Sequence, residues 1–190
     1  GAGAAKPLSA PFTDNATHSN LSTLRASAIP VRDIDNDGQI EIPVAYGYSG
    51  SSGTATLPSR QDPDEEERIA LNSWNVTGTA EPGVLIPKTY GMMDTTSRYV
   101  LVIDADHRDS IRFYRNRKTG VITAYSVTEG VRGEPLFSLV YSDGAKAKAK
   151  GSEYTFRATQ GDRSVAGTLT SAGIAAGFTN EGIQNSLVFY

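Results

Sequence analysis

The sequence predicts an α+β fold built mainly on antiparallel β-sheet, with one C-terminal helix packed against it. Three observations carry that expectation. From residue 68 onward, short apolar stretches recur between clusters of Gly, Pro, Asp and Asn, the pattern of strands joined by turns. The 190 residues include 19 glycines and many Thr, Tyr and Val, a composition that suits strands and turns. Thr179 stands where a helix N-cap would, followed by Ile183 and Leu187 one helical turn apart, with Val188 beside them.

In chain order, residues 1–20 are small, polar and proline-containing, and read as a flexible arm. Residues 21–190 read as a single domain. It opens with an acidic β-loop-β segment at 28–48, in which 28–32 lead in and 40–48 form the partner strand. Pro43 marks that strand as a sheet edge, because proline has no N–H to donate to a second neighbour. Residues 47–64 are a Ser/Gly/Pro-rich loop ending in the run Asp64, Glu65, Glu66, Glu67, which could begin a helical turn and is more readily a fully solvated loop. The antiparallel sheet occupies 68–178, with strands at 68–77, 84–90, 98–104, 110–117, 121–128, 136–142, 153–159 and 164–176. Trp74, the single tryptophan, lies in the first of these, and Lys118-Thr119-Gly120 makes a hairpin turn. The Ala/Lys alternation at 145–150 is the least core-like stretch and reads as a mobile loop or an exposed helical turn. A helix at 180–188 should close its Ile183/Leu187 face over the sheet.

Composition excludes several classes. Hydrophobic residues make up 38% and charged residues 21%, so the chain is neither disordered by composition nor membrane-spanning. A formal net charge of −3 makes no electrostatic case for nucleic acid or an anionic membrane surface. No cysteine is present, which removes disulfides, thiolate nucleophiles and cysteine metal sites. No apolar run has the length of a signal peptide or a membrane helix, so an exported protein would have lost its targeting segment, and a lipid anchor would lie upstream. Sequons occur at Asn15, Asn20 and Asn75 and matter only in a eukaryotic secretory pathway.

The densest chemistry lies between Asp33 and Pro43. Asp33, Asp35 and Asp37 take the first, third and fifth positions of a D-x-D-x-D-G loop. Oxygens so gathered from one short loop hold hard cations such as Ca²⁺. Gly38 follows at the sharp turn, where a positive φ is cheapest without a Cβ. The Gln39 carbonyl and Glu41 complete the candidate ligand set. An EF-hand needs a bidentate acid at the twelfth position, where this chain has Val44, and strand-forming residues follow in place of a helix. The loop is therefore not an EF-hand, and calcium affinity is expected at the poor end, roughly 10⁻⁴–10⁻³ M. The same residues also read as an acidic β-hairpin turn, since Asn36-Asp37-Gly38 is a strong turn signal.

The segment Arg32-Asp33-Ile34-Asp35-Asn36-Asp37-Gly38-Gln39-Ile40-Glu41-Ile42-Pro43 resembles the FG-GAP/VCBS-type aspartate loop of bacterial surface proteins. The order of loop, Trp-containing strand (Asn72 to Asn75), apolar strand (Arg98 to Ile103) and C-terminal helix is similar to that of bacterial envelope lipoproteins. The downstream half also resembles a PsbP-type sandwich. The resemblance implies an extracellular, envelope-attached module that engages a surface partner or glycan.

No Gly-x-Ser-x-Gly, His-Glu-x-x-His, P-loop or Gly-x-Gly-x-x-Gly motif occurs, and the two histidines are His18 and His107. Asp104, Asp106 and His107 could gather a metal, or could merely keep a turn soluble, which is the commoner role. Tyr90, Tyr99, Tyr114, Tyr125 and Tyr141 could build a sugar-stacking surface if they shared one exposed face, or could fill a half-buried one. The leading expectation is a non-catalytic extracellular module with a weak calcium loop. A carbohydrate-binding module and a hydrolase with scattered carboxylates are the alternatives.

Overall fold

Alternation along the strands sorts them into two antiparallel sheets that share one apolar core. A computed structural model describes residues 31–47, 65–77, 85–144 and 153–190. The arm at 1–20, residues 21–30, the loop at 48–64, Val84, the Ala/Lys stretch at 145–150, His18 and the sequons at Asn15 and Asn20 lie outside the described residues.

The first sheet has the order β1–β3–β4–β5–β11, built from β1 (Ile42–Gly47), β3 (Leu71–Thr77), β4 (Leu85–Asp94), β5 (Tyr99–Ile103) and β11 (Leu187–Phe189). The second has the order β2–β6–β7–β8–β10–β9. Its strands are β2 (Glu66–Ile69), β6 (Ile111–Asn116), β7 (Ile122–Thr128), β8 (Val131–Asp143), β9 (Phe156–Gln160) and β10 (Arg163–Leu169). Pro43 lies in an edge strand, as its missing N–H requires.

Inward-facing residues alternate as expected. Ile111 and Phe113 of β6, Ile122 and Ala124 of β7, and Phe137 and Leu139 of β8 meet Leu71, Met92, Tyr99, Leu101 and Ile103 of the first sheet in one cluster. The expected strand at 68–77 is in fact two. Ala70 breaks it, so that β2 pairs with β6 in one sheet while β3 pairs with β4 in the other. The acid run is not wholly solvated either. Glu66 and Glu67 open β2, and Glu66 meets Arg132 at 2.5 Å.

β5 does not alternate. Tyr99, Val100, Leu101 and Ile103 are all buried, because the first sheet is covered on both faces. Its outer face carries Trp74, Met93 and Val100, and Ile34 of the acidic segment packs onto them, 1% exposed. Burying a side chain of that size is worth about 1.5–3 kcal/mol.

The helical part is small. Residues 170–176, expected as strand, hold the short helix α1 (Ser171–Ala175), because Thr170 caps it by accepting the Gly173 N–H. Gly173 sits so close to β8 that a Cβ there would stand 2.2 Å from the Leu136 carbonyl oxygen. The C-terminal helix α2 (Asn180–Asn185) begins at its Thr179 cap and buries Ile183, but it stops three residues short of 188. Leu187–Phe189 instead pair antiparallel with β5, where Val188 meets Val100. The open edge of β5 supplies a hydrogen-bonded ladder that a last helical turn could not. No helix among the described residues is long and apolar enough to cross a membrane.

Candidate metal site in the acidic loop

The acidic segment is a loop closed by one antiparallel bridge. Arg32 and Glu41 exchange backbone hydrogen bonds, with Arg32 N–H to Glu41 O at 3.2 Å and Glu41 N–H to Arg32 O at 3.0 Å. Between them the chain turns through two left-handed residues, Asn36 at φ 60° and Gly38 at φ 90°. Asparagine and glycine are the residues that tolerate such backbone most readily. The turn is held from within: the Asp33 carboxylate accepts the N–H groups of Asp37 (3.1 Å) and Gly38 (2.8 Å). Gln39 donates its N–H at 2.9 Å and its side-chain amide at 3.2 Å to Asp37.

Ile34 and Glu41 fasten this loop to the sheet. Ile34 enters the Trp74 cluster, and its N–H donates at 2.8 Å to Oε2 of Glu41, a carboxylate with no solvent exposure. One ligand oxygen each from Asp33, Asp35, Asp37 and Glu41 lies within 4.8 Å of the others. Four of the five residues expected to hold a cation are therefore gathered by their side chains. Gln39, expected to contribute its carbonyl, supplies two donors to Asp37.

Lys88 is the functional residue that sequence reasoning missed. Its Nζ lies 3.1 Å from Asp35 Oδ1, 2.5 Å from Asp37 Oδ2 and 2.9 Å from Glu41 Oε1, at the focus of the cluster. It gets there by a β-bulge. Trp74 pairs with Thr89 and Asn75 with Pro87, so Lys88 is the extra residue of β4, with no partner in β3. Bulges commonly re-aim a side chain beside a functional site. The only local signal is Pro87, which disfavours regular pairing inside a strand. β5 joins β4 only from Tyr90 onward, leaving that side of Pro87 outside the β4–β5 ladder.

The electrostatics follow from this arrangement. The hydrogen bond from Lys88, and then that from the Gln39 N–H, hold the Asp37 carboxyl below the ordinary aspartate value of 3.8. Desolvation in the crowded loop pulls the Lys88 ammonium down. Its hydrogen bonds to Asp37, Glu41 and Asp35 together outweigh that, leaving its pKa above the ordinary lysine value of 10.5. Four carboxylates against one ammonium still leave the cluster strongly negative. The donor set is all oxygen and anionic, which suits a hard divalent cation.

The other candidates do not assemble. Asp104, Asp106 and His107 are not brought together as a metal-ligating cluster among the described residues. Tyr90, Tyr99 and Tyr114 are buried, so the five tyrosines share no exposed stacking face. Asn75 is buried as well, with its amide nitrogen donating to the Ile42 carbonyl at 3.1 Å, so this sequon is not accessible for glycosylation in the fold. No family model, curated protein or solved structure matches the chain.

Proposed function

We propose that this chain is a non-catalytic, β-rich module of the cell surface whose acidic loop takes up calcium weakly, in exchange for the Lys88 ammonium. The observation that carries the proposal is the convergence of Asp33, Asp35, Asp37 and Glu41 to within 4.8 Å. The likeness of the loop to the FG-GAP/VCBS type supports the choice of calcium. An affinity of roughly 10⁻⁴–10⁻³ M would be met by extracellular but not by cytosolic calcium, which favours an envelope location. Lys88 fits this picture as a tethered cation that keeps the carboxylates from repelling one another when the metal is scarce.

A second reading rests on the same lysine. With Nζ at 2.5–3.1 Å from three carboxylates, Lys88 can serve as the permanent counter-ion of a purely structural loop. Thermal melts separate the two readings. Under the calcium reading, millimolar Ca²⁺ raises the melting temperature and Mg²⁺ raises it much less, since Mg²⁺ dehydrates reluctantly. Asp35→Ala removes that rise while the fold persists. Tb³⁺ should also show luminescence sensitised by Trp74, which lies under the loop. A calcium response no larger in the wild type than in Asp35→Ala establishes the lysine-locked loop instead.

A further inference from the structure

Away from the acidic loop, a pocket of about 120 Å³ opens between the end of β5, the short 3₁₀ turn Ala105–His107, and α2. Its floor is apolar, formed by Leu101, Ile103, Ile111, Phe137, Phe178 and Ile183. Of the polar side chains on its wall, Thr179 and Ser186 are committed to α2. Thr179 Oγ accepts the Gly182 N–H and Ser186 Oγ donates to the Gly182 carbonyl, each at 2.9 Å.

Asp104 and His107 are different. Both line the pocket, and neither the carboxylate nor either imidazole nitrogen has a hydrogen-bond or ion-pair partner among the described residues. The His107 ring is nevertheless held in place, packed on Phe178, another lining residue, with ring centroids 4.6 Å apart and planes tilted by 41°. Exposed Asp106 follows Asp104 in the same turn, and Arg108 is engaged with Asp109 at 3.0 Å and with Tyr90 Oη at 2.6 Å. The mouth is thus biased toward negative charge, above an apolar floor. A concave apolar site with a few convergent polar groups is the usual form of a small-molecule site.

We propose that this pocket binds a small protonated amine whose apolar body is no larger than one ring. An enclosed cavity of about 150 Å³ accommodates benzene, so this pocket of about 120 Å³, open at its mouth, takes one ring at most. Asp104 supplies the counter-charge, and a ring nitrogen of His107 stands beside it as a second polar contact. An anion of the same shape would meet like charge from Asp104 and Asp106 at the mouth and is disfavoured.

Amide chemical shifts of the whole chain, followed during titration with benzylamine, toluene and benzoate, test the assignment. Benzylamine should move the amides of Asp104, His107 and Ile183 at millimolar concentration, toluene should bind more weakly, and benzoate should not bind. Asp104→Asn, at an exposed position, should weaken benzylamine roughly fivefold, the upper range for an exposed charge pair, and leave toluene unchanged. Equal affinity for benzylamine and toluene on the unaltered protein would overturn the amine assignment and leave a plain apolar cavity. No shifts at these amides with any probe would overturn the site altogether.

Discussion

Glu41 and Lys88, separated by 47 positions, meet at 2.9 Å, and the carboxylate end of that pair is wholly buried. The second Glu41 oxygen takes the Ile34 N–H, so one side chain connects the bulge of β4 to the backbone of the loop. A buried carboxylate needs both contacts, because an unpaired buried charge is far costlier than a buried pair is stabilising. Glu41 therefore belongs to the loop's architecture first, and to any metal it holds second.

Lys88→Met removes the ammonium and keeps the apolar stem. Without calcium this variant should melt below the wild type, since Glu41, Asp35 and Asp37 lose their shared cation. With millimolar calcium the gap should narrow, and the calcium-induced rise should exceed that of the wild type, because the ion no longer competes with a tethered one. Calorimetric titration of both proteins checks this; an unchanged calcium response would mean that the ion, if bound, does not take the place of Lys88.

Ile34 is the apolar pin of the same loop. Ile34→Ala should destabilise the protein by about 2–5 kcal/mol, the usual range for emptying a buried aliphatic site. Urea denaturation measures the loss. Trp74, now fully buried, should gain solvent contact, so its emission should shift to the red in the native state. A loss of stability without that shift would mean that the loop re-seats over the tryptophan.

The loop's pH response has two limbs with opposite signs. The Asp37 pKa is lowered by folding, so its contribution is present above 3.8 and is lost as the pH falls through the lower folded value. The Lys88 pKa is raised by folding, so its contribution is complete below 10.5 and is lost as the pH rises through the higher folded value. The difference in melting temperature between wild type and Lys88→Met should therefore be flat between these two values and shrink beyond each. Asp37→Asn should remove the Asp37 contribution to the acid limb and weaken the alkaline limb, because Asp37 is one of the three carboxylates that raise the Lys88 value.

Much of this was legible in the sequence, and the failures have definite physical causes. The strands at 110–128 follow from local alternation, and the left-handed Gly38 from the Asp-Gly turn. The split at Ala70 leaves no local trace, because both halves are strand and only their partners differ. Lys88 was missed because its role depends on a contact across half a sheet, and a lysine between Pro87 and Thr89 looks like any solvated strand residue. At 170–176 the Thr170 cap outweighs the strand-like reading. The C-terminus misled for a subtler reason. Ile183 and Leu187 are spaced for one helical face, yet Leu187-Val188-Phe189 also alternates, and the free edge of β5 selects that second pattern.

That last choice makes a prediction which separates strand from helix. In the strand, Leu187 and Phe189 point into the core, at 8% and 6% exposure, while Val188 lies on the outer face. In a helix continuing to 188, Leu187 and Val188 would share the buried side and residue 189 would turn away from it. Phe189→Ala should therefore cost about 3–5 kcal/mol as a core truncation. Val188→Ala, at a partly exposed site, should cost clearly less. Urea melts of the two variants give the comparison, and amide exchange adds a second reading: the Tyr190 N–H, bonded to the Arg98 carbonyl at 3.0 Å, should be protected in the wild type and lose protection in Phe189→Ala. A larger loss from Val188→Ala than from Phe189→Ala would place the C-terminus in a helix after all.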